Sequence, residues 1–93
     1  MPTLAVDIGG GSIKLLLLSP EGAPVSETLA QPTPQPATPD AVFTLIHDMA
    51  DTLPPHRQVS VGFPGVVKEG VVFNAPNLGD ELWDRVPLNE RLT

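Results

Sequence analysis

The sequence predicts an α/β fold, an antiparallel three-strand meander followed by a crossover helix and a further strand. Three observations carry that prediction. The first thirty residues alternate short apolar runs with Gly- and Pro-containing breaks, residues 39–53 carry an apolar stripe at helical spacing, and residues 58–63 return to strict alternation.

In the first strand, from Thr3 to Ile8, Leu4, Val6 and Ile8 share one face. Gly9-Gly10-Gly11 breaks it. Ser12 to Ser19 is apolar on both faces, as suits a strand covered on both sides, and Pro20 stops it at strand length. Pro20-Glu21-Gly22-Ala23 is a turn, and Pro24 to Leu29 is the expected third strand. Gln31 to Pro39 holds Pro32, Pro34, Pro36 and Pro39 and is expected to run extended. Thr38 then provides a cap, Pro39 suits the first helical position, and Asp40 complements the positive end of the dipole. Val42, Leu45, Ile46, Met49, Ala50 and Leu53 form the helix stripe, ended by Pro54-Pro55. Val59, Val61 and Phe63 mark the next strand, Val66-Val67 and Val71 to Phe73 a small hairpin, Asn74 onward a loop, and Val86 to Leu92 the start of a second helix. One complete helix leaves one sheet face bare.

Composition excludes several function classes. The 93 residues carry a net charge of −6 with only five Lys and Arg, so no basic surface exists for nucleic acid or an anionic membrane. A small anionic ligand remains compatible, because backbone N–H groups bind phosphate without net positive charge. There is no cysteine, and His47 and His56 have no neighbour at zinc spacing, so neither a disulfide framework nor a thiolate or zinc site is expected. No signal peptide or spanning segment is recognisable, and a cytoplasmic location is expected.

Two segments can carry chemistry. In Asp7-Ile8-Gly9-Gly10-Gly11-Ser12-Ile13-Lys14, the glycines let amides converge on an anion and a phosphate approach closely. Asp7 can orient a Mg²⁺ through its water shell, and Lys14 can reach a phosphate oxygen. A strand rather than a helix follows, which separates this loop from the Walker and Rossmann types. The same residues also suit a plain glycine hairpin. The second segment, Gly62-Phe63-Pro64-Gly65 with Asn74-Ala75-Pro76-Asn77, offers amide side chains to sugar hydroxyls at a strand's C-terminal edge. Taken alone, it reads more simply as a terminating turn with loop asparagines. Asp80, Glu81 and Asp84 read as a solvated acidic loop, and Trp83 as a packing residue rather than a sugar platform.

In this order the segments resemble the ROK sugar kinases of the actin-like ATPase superfamily. The resemblance rests on Asp7, Gly9, Gly10 and Lys14, then Gly62 to Gly65, then Asn74 to Leu78, Trp83 and Val86 to Leu88. The Pro32 to Pro39 stretch and Val61 to Val67 resemble the polyphosphate glucokinase branch. The chain departs from the pattern in having Gly11 where the family carries a hydroxyl, with Ser12 one place later.

The resemblance implies residues 1–93 as an incomplete N-terminal lobe with a ribonuclease H-like half-sheet. It implies Gly9, Gly10, Gly11, Ser12 and Lys14 on the donor phosphates, Asp7 at Mg²⁺, and Gly65 and Asn77 at the sugar. The implied reaction is phosphoryl transfer from ATP or polyphosphate to a hexose, glucose at its 6-hydroxyl. Family members extend well beyond this length and place the general base later in the chain, so no catalytic residue and no activity are expected of this segment alone. Two alternatives are a fragment of a sugar-sensing ROK transcriptional regulator and a non-enzymatic, self-associating fragment. The bare sheet face predicts a homo-oligomer, or association with the remainder of a longer protein.

Overall fold

A computed structural model of the chain describes residues 2–56, 58–63, 66–68, 70–74 and 80–92. Its elements are β1 (Thr3–Ile8), β2 (Ser12–Leu18), β3 (Leu29–Pro32), α1 (Pro39–Ala50), β4 (Gln58–Gly62), β5 (Val66–Lys68), β6 (Val71–Asn74), α2 (Asp80–Trp83) and α3 (Leu88–Leu92).

The main sheet has the order β3-β2-β1-β4. β1 and β2 pair antiparallel, as do β2 and β3, whereas β4 lies parallel to β1. A parallel partner needs a crossover, and α1 supplies it between the two edges of the sheet. The expected meander, crossover helix and further strand are all present. Because side chains alternate along a strand, the register puts Leu4, Val6, Ile8, Ile13, Leu15 and Leu17 on one face, all buried under α1.

α1 begins as its sequence dictates. Thr38 is the N-cap, its hydroxyl accepting the Ala41 N–H at 3.2 Å, with Pro39 following in the first turn. Its buried stripe is Val42, Phe43, Ile46 and Met49, while Leu45, Ala50 and Leu53 pack at its margin. Phe43 joins the stripe because α3 and Trp83 cover its side of the helix. Arg91 of α3 lies 4.6 Å above the Phe43 ring, and its guanidinium pairs with Asp40 at 2.7 Å.

The third strand sits later than the sequence suggests. Pro24 makes only an isolated bridge to Leu18, and regular pairing with β2 resumes at Leu29 and runs through Pro32. The reason lies in the donors. The Val25 N–H still donates to the Leu17 carbonyl at 2.9 Å, but the Leu17 N–H is taken at 2.9 Å by the Ser26 hydroxyl rather than by a backbone carbonyl, so the ladder is interrupted there. Pro32 is tolerated because β3 is an edge strand and Pro32 is its last residue. The turn before it is as expected, with Gly22 at φ 86° and its N–H donating to the Ser19 carbonyl at 2.9 Å.

A second, smaller layer gathers around Trp83. The β5–β6 hairpin, α2 and α3 bring Val72, Leu88 and Leu92 into the same core. Trp83 is fully buried, with its ring centroid 5.6 Å from Phe43 and 5.2 Å from Phe63, and its indole N–H donates to the Ala37 carbonyl at 2.7 Å. The packing expectation for Trp83 therefore holds. The loop expected from Asn74 onward is corrected at residues 80–83, which form the short helix α2 that delivers the indole to this core. α3 matches the expected second helix. Among the described residues, no helix is long and apolar enough to cross a membrane.

Candidate functional site

β1 and β2 are joined by Gly9, Gly10 and Gly11, and the strand register decides what stands beside that loop. Asp7 pairs with Lys14 on β2 and with Gly62 on β4. All three therefore lie side by side on the sheet face opposite α1, where both charged side chains are exposed. On the other face, burial of either charge without a partner would cost several kcal/mol or force its neutralisation. Asp7 and Lys14 take part in no ion pair among the described residues. An open trough of about 630 Å³ runs beside them, lined by Asp7, Lys14, Leu16, Thr28, Ser60 and Gly62.

Gly62 matters by what it lacks. A Cβ built there would stand 3.3 Å from Asp7 Oδ1, so the absence of a side chain gives the carboxylate its room. Gly9 is under a harder constraint, because a Cβ would stand 2.8 Å from the Ser12 carbonyl oxygen. That close approach goes with the Gly9 N–H donating to the same oxygen at 2.9 Å, which closes the hairpin. Gly11 is open, and a methyl added there would meet nothing within 4 Å. The Gly9 amide is thus used internally, and the amides left to an anion by the described residues are those of Gly10, Gly11 and Ser12.

Thr33, which in the sequence is one residue of a proline-rich stretch, ties this loop to the sheet edge. Its hydroxyl donates to the Gly9 carbonyl at 2.6 Å and its N–H to the Gly11 carbonyl at 3.2 Å. The only signal in the sequence is a threonine between two prolines, and nothing in that pattern names a partner 24 positions away.

Asp7, Gly9, Gly10, Gly11, Ser12 and Lys14 are therefore brought together at one end of the sheet. Gly65 and Asn77, the expected sugar contacts, lie outside the described residues. Among the described residues there is no cluster of three or more His, Cys, Asp or Glu that could hold a metal unaided. The donor set fits Mg²⁺ all the same, since that ion commonly keeps most of its waters and is held by one or two carboxylates together with substrate phosphates. His47 is exposed, with Nε2 3.0 Å from the Arg91 carbonyl, and belongs to the α1–α3 contact rather than to this site.

At one end of the α/β half-sheet, an acidic residue, a glycine hairpin and a lysine stand together. Comparison with known proteins places this half-sheet in a family. The model of the ROK family matches residues 3–93, and the chain belongs to that family. It is 38% identical over 76 residues to the polyphosphate glucokinase of Mycobacterium leprae, covering 81% of this chain and 24% of that protein. It is 34% identical over 82 residues to an N-acetylmannosamine kinase of Salmonella newport, covering 85% of this chain and 28% of that protein. The crystal structure of the inorganic polyphosphate/ATP-glucomannokinase of Arthrobacter sp. strain KM superposes with a TM-score of 0.83 at 34% identity, covering 99% of this chain and 39% of that one. The half-sheet is accordingly the one found in ROK sugar kinases, and the chain spans well under half the length of each of these relatives.

Proposed function

We propose that this chain supplies the phosphoryl-donor loop, and part of the sugar site, of an enzyme that transfers a phosphoryl group from ATP or polyphosphate to a hexose, with glucose accepting at its 6-hydroxyl. The observation that carries the reading is the alignment of Asp7, Lys14 and Gly62 across three neighbouring strands, directly below the glycine hairpin.

In this reading the amides of Gly10, Gly11 and Ser12 bind donor phosphate oxygens, and the Lys14 ammonium adds a mobile positive charge to the same group. Contact through backbone amides makes the displaced hydroxyl of Ser12 a lesser matter. The Asp7 carboxylate would hold a Mg²⁺ ion through its water shell, and the ion would supply positive charge against the phosphates. Gly65 and Asn77 serve the sugar. The 93-residue chain alone is expected to be inactive, since transfer requires donor, metal and acceptor to be positioned together and the relatives are much longer. The similarity to an N-acetylmannosamine kinase supports a second reading in which the acceptor is an amino sugar. Neither the sugar-sensing regulator nor the non-enzymatic fragment gains support from the relatives named above.

The test is a chimera in which this chain replaces the matching segment of the Arthrobacter glucomannokinase, assayed with glucose, mannose and N-acetylmannosamine. Asp7→Ala is expected to lower kcat by about a hundredfold or more with little change in sugar KM, the scale seen on removing one charge-stabilising group. Asn77→Ala is expected to raise the sugar KM instead. An Asp7→Ala chimera that melts normally and turns over at a near-normal rate would remove the donor-loop assignment.

A further inference from the structure

Thr33 is 5% exposed and is the one buried polar side chain among the described residues. Both of its hydrogen bonds end on the glycine loop, hydroxyl to Gly9 carbonyl at 2.6 Å and N–H to Gly11 carbonyl at 3.2 Å. A peptide unit is planar, and in the trans form its C=O and N–H point in opposite directions. The Gly9–Gly10 and Gly11–Ser12 units are both trans. Holding the carbonyls of Gly9 and Gly11 toward Thr33 therefore turns the N–H groups of Gly10 and Ser12 away from it. Those are two of the three amides assigned above to the donor.

The flanking residues keep the clasp in place. Pro32 pairs with Ser12 at the end of β3, and Pro34 restricts Thr33 to extended backbone, so the residue has little freedom to leave the loop.

We infer that Thr33 is a positioning residue for the phosphoryl donor. It touches no donor atom itself, and acts by orienting the Gly10 and Ser12 amides toward the phosphate. The inference rests on the proposed donor role of the loop.

The experiment is an NMR titration of the ¹⁵N-labelled 93-residue chain with magnesium tripolyphosphate, comparing wild type, Thr33→Val and Thr33→Ser. Thr33→Val keeps the size and the backbone N–H but removes the hydroxyl donor, and Thr33→Ser retains it. The expected result is that wild type and Thr33→Ser shift the Gly10 and Ser12 amide resonances with similar affinity. Thr33→Val is expected to bind about tenfold more weakly, the scale of one lost hydrogen bond, with a lower heteronuclear NOE value at Gly10, whose peptide unit loses the hydroxyl contact, and an otherwise unchanged spectrum. Wild-type affinity in a folded Thr33→Val chain overturns the positioning role and leaves the donor loop standing. Absence of any loop shift in wild type overturns the donor reading, and the positioning role falls with it. Should Thr33→Val fail to fold, Thr33→Cys, a weaker donor of similar size, is read in its place, and wild-type affinity there likewise overturns the inference.

Discussion

On the helix side of the sheet, Leu4, Val6, Ile8, Ile13, Leu15 and Leu17 are at most 3% exposed, whereas on the other side Asp7, Lys14 and Ser60 are exposed and Leu16 and Leu18 only half covered. The same strands build both faces. The difference comes from what α1 can reach, because one helix covers one face and the crossover fixes which. Sequence alternation alone makes β2 look symmetric, with leucines on both sides. The uncovered face is the one able to keep a carboxylate and an ammonium hydrated, and it is where Asp7 and Lys14 stand. Buried packing and exposed charge are thus divided between two sides of one four-stranded sheet.

The largest expected effect tests that division directly. Leu15→Ala, on the covered face, should lower stability by about 2–5 kcal/mol through lost burial and a residual cavity. Leu16→Ala, its neighbour on the bare face, should cost about 1 kcal/mol or less. Urea unfolding of the two variants measures both. Equal losses would mean that the second face is as well packed in solution as the first.

A smaller effect separates two glycines of the loop. Gly9→Ala forces a methyl against the Ser12 carbonyl and should cost about 1–3 kcal/mol, the range for overpacking against an unyielding neighbour. Gly11→Ala meets open space and should stay within about 0.5 kcal/mol of wild type. Thermal melts distinguish the two, and equal melting temperatures would undo the assignment of Gly9 as the hairpin's tight point.

Gly62→Ala sharpens the functional half of the comparison. A methyl 3.3 Å from Asp7 Oδ1 is tight but can be accommodated by rotation of an exposed carboxylate, so stability should change by less than about 1 kcal/mol. Magnesium tripolyphosphate affinity should fall several-fold nonetheless, because the carboxylate would be displaced. Calorimetric titration reads this, and unchanged affinity would show that the position of Asp7 is not critical. Least in stability terms is Leu16→Lys. We expect the bare face to associate between copies, and this charge should move sedimentation toward the monomer with the melting temperature almost unchanged. An unaltered association state would place any contact elsewhere.

Much of the architecture is legible in the residues themselves. Alternation in Thr3–Ile8 and Gln58–Gly62 reports period two, and Thr38, Pro39 and Asp40 state a helix start in local chemical terms. These are short-range signals, satisfied within a few residues. The third strand escapes such signals for the converse reason, since its position depends on which donors of β2 are already taken, and Ser26 takes one of them. Of the site, the sequence carries Asp7, the glycines and Lys14 as a linear motif.

The sequence by itself determined the half-sheet, the crossover helix and the glycine hairpin proposed as the donor loop, because turn chemistry and hydrophobic period are local properties of the chain. Only the tertiary structure decided that Lys14 and Gly62 flank Asp7 on the uncovered face, and that Thr33 reaches across to hold the carbonyls of Gly9 and Gly11. Register, crossover direction and contacts between distant residues set those placements. They follow from the way the strands and the helix bury their apolar faces together, and no window of sequence contains that information.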